Sequence, residues 1–128
     1  MRFRFIALLA VVSALAVSGV AVAASSSHKV VAPVKITVTL HDYSFSFSKA
    51  SAKMPAGAKS VTVLFTIKNA GAVQHNMDLT TLNKRSAIIS PGAKTTLKVV
   101  FKKKGAYQVV CDVPRHIQLG MVSSFKIA

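Results

Sequence analysis

The chain has 128 residues with 17 Lys and Arg, three acidic residues and one cysteine, and its formal net charge is +14. This length predicts a single domain with one hydrophobic core and leaves no room for a second domain. One cysteine excludes an intramolecular disulfide, and basic residues spread along the chain without interleaved aromatic residues argue against nucleic acid as the target.

The first 23 residues have the features of an export signal. Two arginines within the first four residues precede an apolar run over residues 5–17, and the small-residue motif Ala-Val-Ala ends at residue 23. This order predicts a signal peptide, residues 1–23, that is removed after Ala23 to give a periplasmic or secreted protein. The mature chain would carry 15 basic residues against three acids, a net charge of +12. A retained membrane anchor is the alternative, because the apolar run is marginal for a span.

Residues 24–33 are interpreted as a polar lead-in, and residues 34–128 as the domain itself. In this domain apolar residues recur at every second position, which is the period of half-buried strands. The alternation is clear in VKITVTL, YSFSFS, VTVLFTIKN, TTLKVVFK, AYQVVC and MVSSFKIA, and HNMDLTTL fits a short strand. The alternation changes phase at His41-Asp42, which predicts a bulge or a switch of strand.

The spacing of these strands predicts the fold class. Turns that contain proline or glycine separate the strands, and no segment shows helical periodicity over about ten residues. About seven strands in a domain of this length predict an all-β fold, namely a Greek-key β-sandwich or barrel of antiparallel strands.

A cluster of metal-binding residue types is predicted at one end of this sandwich. Strand parity points Cys111 and Met121 inward at the end of one strand and the start of the next, and the loop between them carries His116. His75 follows a long apolar strand and could reach the same end from the other sheet. Two imidazoles, a thiolate and a thioether describe a blue-copper site, whereas zinc gains little from methionine. Asn76 could hydrogen-bond across to the ligand loop and hold it.

Three segments resemble the cupredoxins, the family of plastocyanin, azurin, pseudoazurin and their relatives. AYQVVCDVPRHIQLGM is similar to their copper loop, in which an aromatic-led strand ends in Cys, followed by Pro-x-His and Gly-Met. MPAGAKSVTVLFTIKNAGAVQHNMDL and ISPGAKTTLKVVFKKKGAYQVVC resemble the segments before that loop. The resemblance covers residues 34–128 and implies one-electron transfer by a copper ion. It also implies His75, Cys111 and His116 as equatorial ligands and Met121 as the axial ligand.

The resemblance further implies a docking surface around the second histidine. In the family this histidine lies near the surface among apolar residues, which here would be Val113, Pro114, Ile117 and Leu119. Arg115 stands where many members have glycine and adds a positive charge. We therefore expect a monomer that meets a redox protein with an acidic docking face in brief encounters, and that is attracted to anionic membrane surfaces.

Other functions remain open at the level of the sequence. A periplasmic copper chaperone without an electron-shuttle role is the first alternative, although its site would be richer in Met or His. A copper enzyme is not expected, because the chain has no His-x-His pair. A cysteine nucleophile would need an exposed thiol, and a metal-free structural sandwich would make the ligand pattern accidental. His28 and His41 are interpreted as structural or solvated.

Overall fold

The computed structural model describes residues 31–128, so the predicted signal peptide and most of the lead-in lie outside the described residues. The described part contains nine strands and one 3₁₀ turn, Thr80–Leu82. The strands are β1 (Val34–His41), β2 (Ser44–Phe47), β3 (Ser51–Ala52), β4 (Val61–Asn69), β5 (Asp78–Leu79), β6 (Lys84–Arg85), β7 (Lys94–Phe101), β8 (Gly105–Val110) and β9 (Val122–Ile127). Within residues 31–128, no helix has the length and apolar character needed to span a membrane.

The strands form two sheets, which confirms the predicted all-β sandwich. One sheet has the order β2-β1-β4-β7 and the other the order β3-β9-β8-β5-β6. The expectation of purely antiparallel strands was wrong, because β1 pairs with β4, and β3 with β9, in parallel. The chain passes through the opposite sheet between the two members of each parallel pair, and such a long connection permits parallel pairing where a hairpin does not.

The phase change at His41-Asp42 is a hairpin turn and not the predicted bulge or strand switch. β1 and β2 pair antiparallel with His41 opposite Ser44, so Asp42 and Tyr43 form the turn. The sequence Asp-Tyr lacks the glycine or asparagine that marks most two-residue hairpin turns, which is why the pattern did not reveal it. The end of β1 lies beside the segment after β4, since the Ala70 N–H donates to the Leu40 carbonyl at 2.9 Å.

Aromatic rings fill the space between the sheets. Phe65 of β4 and Phe125 of β9 pack edge to face with ring centroids 5.1 Å apart, and Phe101 of β7 lies against both. All three rings are fully buried. Burial of one such side chain contributes roughly 1.5–3 kcal/mol, so this layer provides a stable body on which the loops at each end are built.

Candidate metal centre

The loop between β8 and β9 is a compact series of turns. The Cys111 N–H donates to the Met121 carbonyl at 3.2 Å, the Met121 N–H to the His116 carbonyl at 2.9 Å, and the His116 N–H to the Val113 carbonyl at 3.1 Å. Cys111 and Met121 have no exposed surface, and His116 is 7% exposed. The backbone therefore holds the cysteine, the histidine and the methionine of this loop side by side and away from water.

His75 comes to the same end of the sandwich from the segment after β4. It forms a two-way backbone bridge with Ile89, with N–H to carbonyl distances of 3.2 and 2.9 Å. The buried Asn69 amide donates to the Ile89 carbonyl at 2.9 Å and to the Val73 carbonyl at 2.8 Å. These bonds fix the fully buried His75 against the ligand loop, although it lies 36 residues before Cys111 in the chain.

Three donor atoms converge in this cluster. His75 Nδ1 lies 3.1 Å from His116 Nδ1, and Cys111 Sγ lies 3.3 Å from His116 Nδ1 and 3.9 Å from His75 Nδ1. The circle through these three atoms has a radius of about 2.0 Å, close to ordinary metal–imidazole and metal–thiolate bond lengths of about 2.0–2.3 Å. Soft sulfur and imidazole donors select copper over hard cations, so the cluster fits one copper ion.

Asn76 joins the two segments that carry the cluster. Its Nδ2 donates to Asp112 Oδ1 at 2.5 Å, and its Oδ1 accepts the Asp112 N–H at 3.0 Å. The Asn76 N–H donates to Cys111 Sγ at 3.4 Å. Asn76 therefore hydrogen-bonds the residue that follows Cys111 in the ligand loop.

Burial favours the neutral forms of two of the candidate ligands. It raises the pKa of the Cys111 thiol, and the N–H groups of Asn76 and Val113 offset this only in part. Burial, followed by the nearby His75, lowers the pKa of His116. A neutral imidazole is ready to bind a metal, whereas the thiol must release its proton when a metal binds.

Two residues beside the cluster were not identified from the sequence. Asp42 Oδ1 lies 2.6 Å from His75 Nε2, and the Tyr43 ring packs edge-on against His116 with centroids 4.9 Å apart. The Ala72 N–H and then His75 lower the pKa of the Asp42 carboxyl. The phase change at His41-Asp42 was the one local signal, and nothing in the pattern linked it to His75.

The predicted docking surface surrounds His116. Pro114, Arg115, Ile117 and Leu119 are exposed, and Val113 is half-buried. Ile117 is 47% and Leu119 53% exposed, while His116 itself lies beneath the surface. His41 is exposed and is not part of the cluster found among the described residues, and His28 lies outside them.

Comparisons with known proteins agree with this geometry. The family model described as Cupredoxin-like domain matches residues 7–122. Dithionite-reduced auracyanin from the photosynthetic bacterium Roseiflexus castenholzii is similar with a TM-score of 0.54 and 20% identity, over 75% of this chain and 96% of that one. An azurin from Methylomonas sp. strain J has a TM-score of 0.50 and 24% identity, over 76% of this chain and 99% of that one.

A chain from the structure of a heme-copper terminal oxidase dimer is also similar. Its TM-score is 0.54 and its identity 22%, over 73% of this chain and 60% of that chain. No curated protein matches the sequence significantly. At these identities the structural likenesses show a shared fold.

Proposed function

Because the chain belongs to the cupredoxin-like domain family, we propose that it is an exported blue-copper protein that carries single electrons between redox partners. One copper ion would be bound by His75, Cys111, His116 and Met121. The observation that carries this proposal is the buried cluster of two imidazoles and one thiol, whose donor atoms all lie within 4.8 Å of one another. Bound copper supplies a one-electron couple between Cu(I) and Cu(II).

The residues around the cluster are suited to electron transfer. Backbone bonds fix the ligand loop at Cys111, His116 and Met121, and the bridge to Ile89 fixes His75. A site held this firmly changes little in geometry when its charge changes by one, which keeps reorganisation small. The Asn76 N–H points at Cys111 Sγ and stabilises negative charge on the sulfur. Electron transfer needs no catalytic group, so we propose a carrier and not an enzyme.

The charge distribution supports a partner with an acidic docking face. None of the three acidic side chains stands alone on the surface: Asp42 hydrogen-bonds His75, Asp112 pairs with Arg85 at 3.1 Å, and Asp78 is buried. A cleft of about 710 Å³ elsewhere on the surface is lined by four lysines, Lys84, Lys98, Lys102 and Lys103. Such a cationic surface attracts anionic partners and anionic membrane surfaces over long range.

The exposed apolar residues near His116 support a small docking surface. Ile117 and Leu119 provide apolar area, and Arg115 adds a charge that would orient an acidic partner. We propose that a monomer uses this surface in brief redox encounters.

The domain assignment is also part of the proposal: a signal peptide at residues 1–23, a polar lead-in at residues 24–33, and the copper domain at residues 34–128.

Addition of Cu(II) to the mature protein tests this function. We expect an intense visible thiolate-to-copper band at one copper per chain, which Cys111→Ser abolishes and Met121→Leu retains with an altered reduction potential. His41→Asn and Met54→Leu are matched controls that should leave the spectrum unchanged. His41 is exposed, and Met54 is buried at the opposite end, where its N–H bonds the Ala128 carbonyl at 2.8 Å.

Three results would contradict the carrier. A Cys111→Ser variant that stays blue would refute the ligand assignment. Colourless, tight Cu(I) binding would favour a copper chaperone, and no copper binding would leave a structural sandwich.

A further inference from the structure

A carboxylate lies on the side of the His75 ring that faces away from the cluster. Asp42 Oδ1 is 2.6 Å from His75 Nε2, and Asp42 Oδ2 accepts the Ala72 N–H at 2.7 Å. We propose that Asp42 is a positioning residue, which fixes the tautomer and direction of His75 and makes the site favour Cu(II) over Cu(I). The part that concerns copper rests on the proposed function, whereas the part that concerns the tautomer applies to the metal-free protein as well.

The contact determines where the proton of His75 lies. An ionised carboxylate can only accept hydrogen bonds, so His75 Nε2 must carry the hydrogen that it donates to Asp42. In its neutral form the ring then has its lone pair on Nδ1, the atom 3.1 Å from His116 Nδ1 in the cluster. His75 has no exposed surface, so water does not offer its Nε2 an equivalent partner. Asp42 therefore presents His75 as a ready metal ligand.

The backbone at Gly71 lies so close to Asp42 and His75 that a side chain has no space there. A Cβ atom at Gly71 would lie 2.8 Å from His75 Nε2 and would overlap Asp42 Oδ1, so only glycine permits the contact. The Gly71 N–H donates to Asn69 Oδ1 at 2.9 Å, which holds the glycine backbone in place. The β1–β2 turn and the segment after β4 thus meet at the hydrogen bond between Asp42 and His75.

The carboxylate has a predictable effect on the metal. A hydrogen bond from a ligand imidazole to a carboxylate raises the basicity of the ring, and loss of such a partner commonly costs about 10–100-fold in metal affinity. The ionised Asp42 also stabilises the more highly charged Cu(II). We expect Asp42→Ala to weaken Cu(II) binding about tenfold more than Cu(I) binding, which raises the reduction potential by about 59 mV for one electron.

The first experiment uses the metal-free protein. Nitrogen-15 NMR of the imidazole rings should show His75 protonated at Nε2 in the unaltered protein and in Asp42→Glu. Asp42→Ala and Gly71→Ala should give a mixture of tautomers, because one removes the acceptor and the other displaces it. His41→Asn, a change at the last residue of β1 and next to Asp42, should leave His75 unchanged. A His75 ring protonated at Nδ1 in the unaltered protein would overturn the inference.

The second experiment measures Cu(II) affinity, Cu(I) affinity and reduction potential for the same set of variants. Asp42→Ala should raise the potential, Asp42→Glu should restore it substantially, and His41→Asn should match the unaltered protein. A Cu(II)-to-Cu(I) affinity ratio that changes less than twofold in Asp42→Ala would overturn the inference while leaving the carrier intact. Failure of the unaltered protein to bind copper would instead refute the proposed function.

Discussion

The hydrogen bonds between Asn76 and Asp112 should control the stability of the metal-free site. Asn76 is 1% exposed, and its side chain makes two bonds to Asp112, at 2.5 and 3.0 Å. Asn76→Ala removes both bonds. These bonds join the segment carrying His75 to the segment carrying Cys111, together with the contact between His75 and His116 and the bond from the Asn76 N–H to Cys111 Sγ, so their loss weakens the link between the two segments.

The expected loss follows from the groups involved. Two hydrogen bonds contribute about 0.5–1.5 kcal/mol each, and the Asp112 N–H left without its partner costs about 1–3 kcal/mol more when it stays out of water. Because Asp112 is only half-buried, we expect a total near 3 kcal/mol and a fall in Tm of at least about 10 °C. Asp112→Ala removes one side-chain bond and a screened ion pair to the exposed Arg85, and it leaves the buried Asn76 Nδ2 without its partner, so it should cost about 2 kcal/mol.

Chemical denaturation of the metal-free variants measures these losses. A double-mutant cycle of Asn76→Ala and Asp112→Ala should give a coupling energy of about 1 kcal/mol, because the two residues share one bond. Gln118→Ala, an exposed change on the same loop, is the control and should stay within about 0.5 kcal/mol of the unaltered protein. An Asn76→Ala loss no larger than that of Gln118→Ala would refute the reasoning.

Three further predictions concern pH, the core and the ligand loop. Burial lowers the pKa of His116 below its ordinary 6.5, so the unfolded state binds a proton first on acidification. Thermal melts of the metal-free protein should therefore show a Tm that falls as the pH drops below 6.5. A His116→Gln variant whose Tm depends on pH in the same way would contradict this. Phe125→Ala should lower the free energy of unfolding in denaturant by about 3–5 kcal/mol. Phe45→Ala should lower it clearly less because Phe45 is only half-buried, and equal losses would count against the described core. Arg115 has φ of 72°, a conformation that glycine adopts without strain, so Arg115→Gly should raise Tm by a few degrees whereas Arg115→Ala should not. Both variants lose a positive charge, so both should slow oxidation of the Cu(I) protein by the anion hexacyanoferrate(III) at low salt. Unchanged rates would remove Arg115 from the docking surface.

The strands were predictable because burial on one face leaves a period of two in the sequence. β4 shows this clearly: Val61, Val63, Phe65 and Ile67 alternate with less buried residues. Pairing direction leaves no such mark in this sandwich, because the parallel pair β1 and β4 buries alternate positions as a half-buried antiparallel strand does. The parallel pairing of β1 with β4 is fixed by where the chain crosses between sheets, and only the folded structure reveals it.

The candidate site was predictable where its residues follow one another in the chain. Strand parity points Cys111 and Met121 toward the same end of the sandwich, and the short loop between them carries His116. Asp42 was missed because it lies 33 residues from His75, and an isolated aspartate before a tyrosine is an ordinary turn residue. The role of Asp42 depends on its contact with His75, which lies in a distant segment, and one sequence alone does not show which distant segments meet.

X-ray absorption at the copper edge of the loaded mature protein tests the central claim most directly. The account predicts one copper per chain with two nitrogen scatterers near 2.0 Å and one sulfur at about 2.2–2.3 Å, and loss of that sulfur in Cys111→Ser. A copper environment of nitrogen and oxygen alone in the unaltered protein, or a sulfur that persists at the same distance in Cys111→Ser, would contradict it.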